Sequence, residues 1–487
     1  MPLGHLLISS KSLETKLFTE NPEFTYFKNI YKKVSEFSIE DINQYFVNDY
    51  GFSKRSSCIL QNNADLINKI YFVATLPNIP YLNKYEENGT SFSWIENIGE
   101  KLIKIIEIEI DNKVIQKITG YHINIYNKLF TKNSKNLDKM IGNVKENISY
   151  SNSKNEYKLY IPIPFWFCES IGNSLPINKF DINKIKLNIE LENINNLIKY
   201  GPMYYIEIYE DNVNFNKYEY IYQSKNNVKA QFFYFDKKKK RLYYNLISKN
   251  NFEHIQDLNF IYNNLINFDS SIFITNSTKD IYYVPVKNYA RIEQNLNIDY
   301  ISLNDAYFQI KYIFLNKNEQ ELIKKSDKIE YLIKQYKYIT YNNIESIKNS
   351  FNINGNNCIF DISWVCILDD DIKNKNYFKY ADKIINSNLS INSFNIYSQR
   401  NNDFIKLVSQ FKNYNIMKIN NINSYTFSNN ILKYQPGGSL NLNKIEKCNL
   451  LLEFDKTISI NNKINVYIIL SSYNILCIKN NKIEIYF

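Results

Sequence analysis

The sequence offers few side chains at spacings that support catalysis or metal binding. Its three histidines, His5, His122 and His254, lie far apart, and none has Asp, Glu or Cys residues nearby at ligand spacing. A zinc site needs such a cluster, so the sequence argues against one. Phosphate-cradling and nucleophile-elbow patterns are also absent from a chain with only 11 glycines. We therefore predict a protein that is not an enzyme and has no cofactor or metal.

Two charged runs remain as candidates for chemistry. Asp369–Asp371 is the only acidic triplet; it could coordinate a cation, but a solvated loop is the simpler interpretation. Lys237–Arg241 (KKKKR) could be a nuclear-localisation or phosphate patch, although a solvated loop is expected in so lysine-rich a chain. The net charge of +10 is spread over 487 residues, which favours ordinary solubility charge over a nucleic-acid partner.

The cellular compartment can be predicted from the cysteines and from the N-terminus. Six cysteines, at positions 58, 168, 358, 366, 448 and 477, form no close pair, which fits free thiols in a reducing compartment. The apolar run Leu6–Ile8 is too short for a signal peptide and is followed by charges. No run approaches the 18 or more apolar residues of a membrane span. We expect a protein of the cytosol.

The elements that must position any site are predicted to be strands. Aromatic residues make up 16% of the chain, a composition that favours strands. Apolar and polar residues alternate with a period of two, which is typical of strands with one buried face, in Ile106–Ile110, Ile185–Glu192, Phe308–Phe314 and Ile464–Leu470. Cys358–Leu368 is instead a continuous apolar run, as expected of a strand buried on both faces.

Helices are predicted to be short and to lie in loops. One is expected over Ile118–Phe130, and another begins at Asn316, where Glu319 completes a capping box, and continues through Lys325. Without longer helices between the strands, layers of α/β type are excluded. The sequence therefore predicts an all-β protein in which a sandwich or jelly-roll pattern occurs twice.

The first strongly patterned stretch is Asn21–Glu40. Pro22 suits the first residue of a strand, because it cannot donate a ladder hydrogen bond. Aromatic residues follow, and then the basic pair Lys32-Lys33. We predict an edge-entering strand with a basic exit.

Three separated stretches resemble the major capsid proteins of the large nucleocytoplasmic DNA viruses of eukaryotes. The first comprises Asn21, Pro22, Thr25, Phe27, Lys28, Tyr31, Lys32, Lys33, Phe37 and Glu40. The second comprises Ile161–Phe167, with Pro162, Pro164, Phe165, Trp166 and Phe167, then Ser174–Pro176, with Pro176, and the strand Lys186–Leu191. The third comprises Tyr312–Leu315 with Glu319, Glu330–Ile333, Tyr434–Ser439 with Tyr434, Pro436 and Gly437, Ile464–Tyr467 and Tyr473–Leu476. Their order and spacing identify the chain as a divergent member of this family.

The resemblance implies a fold and a set of domains. It implies two consecutive eight-stranded antiparallel jelly-roll barrels with short helices in the loops. We predict an N-terminal arm over 1–20, a first jelly roll over 21–200, a linker or insertion over 201–298 and a second jelly roll over 299–487. Residues 200–298 find little match in the family, and the basic pair is Lys-Lys where Arg-Arg is common.

The resemblance also implies a function and partners. Homotrimers would form pseudo-hexagonal capsomers that tile the outer icosahedral shell of a virion assembled in the host cytoplasm. The implied partners are further copies of the chain, minor capsid, cement and penton proteins, and the inner membrane surface, with no sequence-specific nucleic acid. Lys28, Lys32 and Lys33 would contact other subunits or the inner surface. Two alternatives stay open: a scaffold of the same fold that is shed during maturation, and a jelly-roll carbohydrate-binding protein or glycan-acting enzyme.

Overall fold

The structure is a computed structural model of the chain. It describes residues 5, 16, 18–29, 31–79, 91–131, 134–180, 184–248, 250–255, 270–278, 280–292, 301–355, 357–396, 400–414, 421–460, 462–479 and 482–486. Most of the predicted arm over 1–20 lies outside these residues. No helix in the described ranges is long and apolar enough to cross a membrane.

The strands described before residue 192 belong mainly to one barrel. They are β1 (Phe37–Gln44), β2 (Arg55–Ile59), β3 (Leu66–Leu76), β4 (Ser91–Trp94), β5 (Ile103–Ile110), β6 (Lys113–Thr119), β7 (Tyr157–Pro162), β8 (Leu175–Pro176) and β9 (Ile185–Leu191). The helices between them are α1 (Ile98–Leu102), α2 (Gly120–Phe130), α3 (Ser134–Met140) and α4 (Lys145–Ile148). The predicted helix over Ile118–Phe130 is therefore confirmed as α2.

The next strands form a separate sheet and its connection to the barrel. They are β10 (Ile198–Gly201), β11 (Tyr204–Glu207), β12 (Tyr220–Gln223), β13 (Val228–Asp236), β14 (Arg241–Leu246), β15 (Ile274–Thr275), β16 (Tyr282–Tyr283) and β17 (Ala290–Arg291).

The last third of the chain completes both barrels. Its strands are β18 (Asp305–Leu315), β19 (Lys328–Ile344), β20 (Lys348–Asn352), β21 (Cys358–Leu368), β22 (Ile384–Ile391), β23 (Phe394–Asn395), β24 (Arg400–Asn401), β25 (Asn423–Thr426), β26 (Leu440–Asn441), β27 (Cys448–Phe454), β28 (Ile464–Lys479) and β29 (Lys482–Ile485). Its helices are α5 (Lys317–Lys325), α6 (Asp369–Lys373) and a π-helical stretch, Phe404–Ser409, that continues into α7 (Gln410–Tyr414).

The two barrels share one strand order. In the first, antiparallel sheets run β1-β18-β3-β7 and β2-β9-β5-β6; in the second, they run β19-β28-β21-β25 and β20-β27-β22-β23. Counted along each barrel, both pairs of sheets have the order 1-8-3-6 and 2-7-4-5. Apolar side chains from the facing sheets fill each interior, including Phe72 and Ile189 in the first barrel and Leu450 and Val466 in the second. The prediction of an all-β fold with two jelly rolls is confirmed.

The position of β18 corrects the predicted domain boundary. This strand was predicted to open the second jelly roll at 299–487. It pairs instead with β1, from Phe37 opposite Leu315 to Gln44 opposite Phe308, and with β3 on its other side. It is therefore the last strand of the first barrel, and the boundary at 299 is wrong. The second barrel begins at β19, after α5, whose predicted cap is present because Asn316 Oδ1 accepts from the Glu319 amide at 2.9 Å.

The predicted linker or insertion is a folded sheet in its described parts. Seven antiparallel strands from β11 to β17 enclose their own apolar core. The sheet contacts both barrels: the Tyr218 hydroxyl donates to the hydroxyl of Ser91, the first residue of β4, at 3.0 Å, and Asn374 Nδ2 donates to the Ile247 carbonyl at 3.1 Å. Of the basic run Lys237–Arg241, the four lysines form the exposed turn between β13 and β14, as expected of a solvated loop, whereas Arg241 begins β14 and pairs with Glu207 at 3.1 Å.

The opposite end of the barrels is called the base here. It carries α5, the β5–β6 turn and β29. Lys179 Nζ, in the segment after β8, donates to the carbonyls of Lys324 and Ser326 at 2.8 and 2.7 Å. Lys113 Nζ donates to the Ile483 carbonyl at 3.4 Å. The chain enters β1 from this end, since Phe37 lies opposite the last residue of β18.

Candidate interaction surfaces

The residues of the second sequence motif are parts of the first barrel's core. Phe165, Trp166 and Phe167 are fully buried, and the rings of Phe165 and Phe167 stack at 5.6 Å. The Phe167 carbonyl accepts from Asn68 Nδ2 at 2.8 Å. The three prolines of this motif end or flank short strands: Pro162 closes β7, Pro176 closes β8, and Pro164 is buried between them. Their role is to shape the barrel.

Within the third motif, Tyr434–Ser439 forms a turn that packs on β19. The Tyr434 hydroxyl accepts from the Leu332 amide at 3.0 Å and donates to the Leu332 carbonyl at 3.2 Å. Pro436 is exposed in the turn. A Cβ on Gly437 would lie 2.5 Å from the Ser428 hydroxyl oxygen, so only glycine fits there. This motif is also structural.

The first motif behaves differently, because it lies on the surface. The described residues 18–29 and 31–36, called the N-terminal segment here, form no strand, and Asn21 and Pro22 are exposed. The prediction that Asn21–Glu40 is one strand is therefore wrong for its first part. The ladder begins only at Phe37, because its partner strand β18 ends at Leu315.

The side chains of the N-terminal segment are exposed to an extent that is unusual for aromatic residues. Phe27 is 99% exposed and Tyr31 is 84% exposed. The three predicted contact residues, Lys28, Lys32 and Lys33, are exposed beside them. Contiguous exposed apolar residues on a soluble protein mark interaction sites. The segment therefore combines apolar and cationic groups at the base of the molecule.

A second interaction surface, the barrel junction, is already occupied within the chain. Here α2 and β6 of the first barrel pack on the outer face of β19 and β28. The His122 ring lies 4.0 Å from that of Tyr336. Gln116 Nε2 donates to the Lys334 carbonyl at 2.9 Å, and the Tyr338 hydroxyl donates to the Lys117 carbonyl at 3.0 Å. Because this face is covered, β21 is buried on both sides, as its continuous apolar sequence predicted.

Polar groups at the junction surround a cavity of about 40 Å³. Asp361 accepts from the Ser363 hydroxyl at 2.5 Å and from the Tyr414 hydroxyl at 3.0 Å, and burial raises its pKa to about 7. Burial lowers the pKa of His122 to about 3, so that its ring is neutral. Glu169 and Lys334 form an ion pair at 2.7 Å. The junction thus joins the barrels through partly polar contacts.

Two further exposed apolar surfaces were missed by the sequence reasoning. The helix stripe consists of Phe404, Leu407, Val408 and Phe411, and Phe411 is 60% exposed. Its spacing of i, i+3, i+4 and i+7 is a periodic signal that could have been found. The outer sheet face of the first barrel carries exposed Phe37, Ile39, Tyr45 and Tyr160, with Tyr45 63% exposed. Phe37 and Ile39 fall within the predicted opening strand Asn21–Glu40, whereas Tyr45 and Tyr160 lie outside it.

The acidic triplet has a structural role at the start of α6. Asp369 pairs with Lys373 at 2.6 Å, and Asp371 pairs with Lys379 at 2.7 Å. Among the residues that the structure describes, no group of three or more His, Cys, Asp or Glu side chains could hold a metal ion.

Comparisons with known proteins support the architecture. The family model described as the major capsid protein N-terminus matches residues 25–205. The chain is 28% identical to probable capsid protein 4 of Acanthamoeba polyphaga mimivirus, over 97% of this chain and 96% of that protein. It is also 28% identical to the major capsid protein of Phaeocystis pouchetii virus, over 36% of this chain and 38% of the relative.

Solved structures show the same fold at low identity. The Faustovirus major capsid protein matches with a TM-score of 0.65 and 9% identity, over 96% of this chain and 94% of that chain. A subunit of the PBCV-1 virus capsid matches with a TM-score of 0.62 and 15% identity, over 95% of this chain and 100% of that chain. These relatives are structural proteins by name, in agreement with the prediction that the chain is not an enzyme. Together with the repeated strand order, they show that the chain has a double jelly-roll fold and is similar to the major capsid proteins of large DNA viruses.

Proposed function

We propose that the chain is the coat subunit of the outer icosahedral shell and that it assembles as homotrimeric, pseudo-hexagonal capsomers. The observation that carries this proposal is the same strand order in two barrels packed side by side in one chain. Three such chains around one axis present six similar barrels, so a three-fold particle acquires a nearly hexagonal outline. Closed rings are the usual form of soluble homo-oligomers.

The N-terminal segment would serve contacts beyond the capsomer. Its exposed Phe27 and Tyr31, beside Lys28, Lys32 and Lys33, supply apolar contact area and positive charge at the base. Aromatic side chains and cations suit both protein interfaces and an anionic membrane surface. The partners proposed for this surface are neighbouring capsomers, minor capsid, cement and penton proteins, and the inner membrane surface. Assembly would take place in the host cytoplasm.

Negative-stain microscopy of the purified protein, together with its mass in solution, tests the capsomer. Hexagonal particles with three-fold symmetry and three times the chain mass of 58.0 kDa are expected. Featureless monomers would overturn the proposal. A protein inventory of mature virions separates a coat protein from a shed scaffold, because only the coat protein remains in the finished particle.

A further inference from the structure

A large cleft, called the insertion cleft here, lies between the seven-stranded sheet and the two barrels, at the end opposite the base. Its volume is about 930 Å³, within the range of roughly 300–1,000 Å³ that is typical of ligand-binding clefts. It is lined from the first barrel by β4 and β10, where Lys199 lies directly opposite Ser93. It is lined from the sheet by β12 and β13, and from the second barrel by the segment after α6, which contains Lys375.

The insertion cleft carries an excess of positive charge. Its charged lining residues are five lysines and two carboxylates, namely Lys199, Lys229, Lys373, Lys375, Lys379, Glu96 and Asp370. Lys373 and Lys379 are neutralised by the acidic triplet of α6, at 2.6 and 2.7 Å. Lys199, Lys229 and Lys375 form no ion pair with a carboxylate in the described part of the chain. The cleft therefore presents three cations to an anionic ligand.

Two of these cations are partly buried and lie close together. Lys375 Nζ donates to the carbonyls of Asn195 and Ile198 at 2.5 and 2.6 Å. Lys199 Nζ donates to Asn376 Oδ1 at 2.5 Å. Since an ammonium group has three N–H donors, each lysine keeps a donor for a ligand. Burial and the charge of Lys199 lower the pKa of Lys375 to about 8, and a bound anion would relieve this repulsion.

Tyrosines supply much of the remaining lining of the insertion cleft. They are Tyr150, Tyr200, Tyr204, Tyr218 and Tyr220. Lys229 Nζ lies 4.4 Å from the centre of the Tyr220 ring, and Lys375 Nζ lies 5.3 Å from that of Tyr200. Amide and hydroxyl side chains line the cleft as well. Sugar rings offer apolar C–H faces that pack on aromatic rings, and hydroxyl groups that bond to amides and hydroxyls.

We propose that the insertion cleft binds an acidic oligosaccharide, with its carboxylate or sulfate groups on Lys199, Lys229 and Lys375 and its sugar rings on the tyrosines. Hydrogen bonds between charged partners are the strong ones, so the lysines supply most of the affinity. A single-stranded nucleic acid also offers anions and rings. The proposed function places the base inside the shell, however, so that the cleft opens outward and faces away from the genome. Only this choice between sugar and nucleic acid rests on the proposed function.

Calorimetry with the purified full chain tests the ligand class. Tetragalacturonate and a heparin tetrasaccharide are the acidic probes, and maltotetraose is the neutral control of the same length. The acidic probes should bind about tenfold more tightly than maltotetraose or better, and added salt should weaken their binding because it screens the charges. Equal binding of maltotetraose, or no binding of either acidic probe, would overturn the proposal. Tighter binding of an oligothymidylate would replace sugar by nucleic acid.

Substitutions in the cleft test the location of the bound probe. Lys375→Gln and Lys229→Gln should each weaken the binding of the acidic probes about tenfold or more, because each removes a charged hydrogen-bond donor. Lys238→Gln makes the same change of charge in the exposed turn between β13 and β14 and should leave the affinity unchanged. Thermal melting shows that each variant is folded. Unchanged affinity in both cleft variants would overturn the assignment.

Lysine acetylation provides a second test that needs no substitution. Tetragalacturonate should slow the reaction of Lys199, Lys229 and Lys375 with acetic anhydride severalfold, as measured by peptide mass spectrometry, and should leave Lys238 unprotected. Equal rates at the three cleft lysines with and without the probe would overturn the assignment. A chain that is monomeric in solution but binds the acidic probes would refute the capsomer and leave this site standing.

Discussion

Asp361→Asn tests how burial at the barrel junction sets the pH dependence of stability. Asp361 lies on β21 beneath α2 and is almost completely buried. Two hydroxyl donors, from Ser363 and Tyr414, are its hydrogen-bond partners, and no cation forms an ion pair with it among the described residues. Burial therefore favours the protonated carboxyl and raises the pKa to about 7.

The size of the pH-dependent loss of stability follows from the difference between the folded-state and unfolded-state pKa of Asp361. An unfolded aspartate titrates near pH 3.9, so the folded state binds this proton more tightly by about three pH units. Because the folded-state pKa is raised, the contribution of protonated Asp361 to the free energy of unfolding is fully present below about pH 4. This contribution is lost as the pH rises through about 7. At about 1.4 kcal/mol per unit, the loss is about 4 kcal/mol, an upper bound if the site relaxes. Asparagine cannot ionise, and the variant therefore avoids this loss.

Thermal melting of both proteins from pH 4.5 to pH 8 measures the effect. The Tm of the variant minus that of the wild type should rise across this range by up to about 8–16 °C, at about 2–4 °C per kcal/mol for a barrel-sized unit. Asp327→Asn, which changes an exposed carboxyl of the second barrel, should show no such trend. A Tm difference that stays constant with pH would refute the reasoning.

Three further predictions concern the core, the surface and a turn. Ile189→Asp places a charge inside the first barrel and should abolish soluble trimer, whereas Lys186→Asp on the partly exposed side of β9 should not; normal trimer yield from the first would show that the face is misassigned. Phe27→Ser should leave the Tm within about 1 °C, since the ring is exposed, but should reduce shell assembly seen by electron microscopy; loss of the trimer would instead place the ring inside the capsomer. Gly438→Ala should lower stability by about 1–3 kcal/mol in melting experiments, because φ is +135° and the new Cβ would meet the Phe427 carbonyl. Gly172→Ala should be neutral, because its new Cβ would make only an ordinary contact with the Ser170 hydroxyl oxygen at 3.9 Å, and equal Tm values for the two variants would contradict this reasoning.

The strands with strong local patterns could be predicted from the sequence. β9 alternates with a period of two because one face fills the barrel and the other meets water. β21 is apolar throughout because α2 covers the face that would otherwise be solvated. The cap of α5 could also be predicted, since Asn316 and Glu319 act within one turn. In each case the structure depends on contacts that recur within one short segment, and the pattern of residue types along that segment therefore reveals it.

The position of β18 could not be predicted in this way. Its residues alternate as in any half-buried strand, and nothing in them distinguishes the last strand of one barrel from the first of the next. Leu191 and Asp305 are joined through the entire insertion, so the ladder between β1 and β18 is formed by residues far apart in sequence. The resemblance to capsid proteins named the fold, but local pattern could not place this boundary.

The N-terminal segment and the helix stripe show a second limit. Apolar residues with a strong pattern are normally assigned to a half-buried element of their own chain, and Asn21–Glu40 was accordingly predicted to be an edge-entering strand. Phe27 and Phe411 are instead exposed on the single chain. An apolar pattern in the sequence indicates that side chains favour burial, but it does not indicate which surface contacts them.

The helix stripe and the N-terminal segment are exposed apolar surfaces of two different kinds. The helix stripe lies on a helix that follows the fifth strand position of the second barrel, as α2 follows the fifth strand of the first. The N-terminal segment has no such counterpart, because the second barrel is entered through the short α5, not through an aromatic, basic segment. A contact that both barrels can make is suited to a ring of six similar barrels. In the proposed capsomer, a contact that only the first barrel can make would occur three times, and it would suit partners outside the ring, at the base.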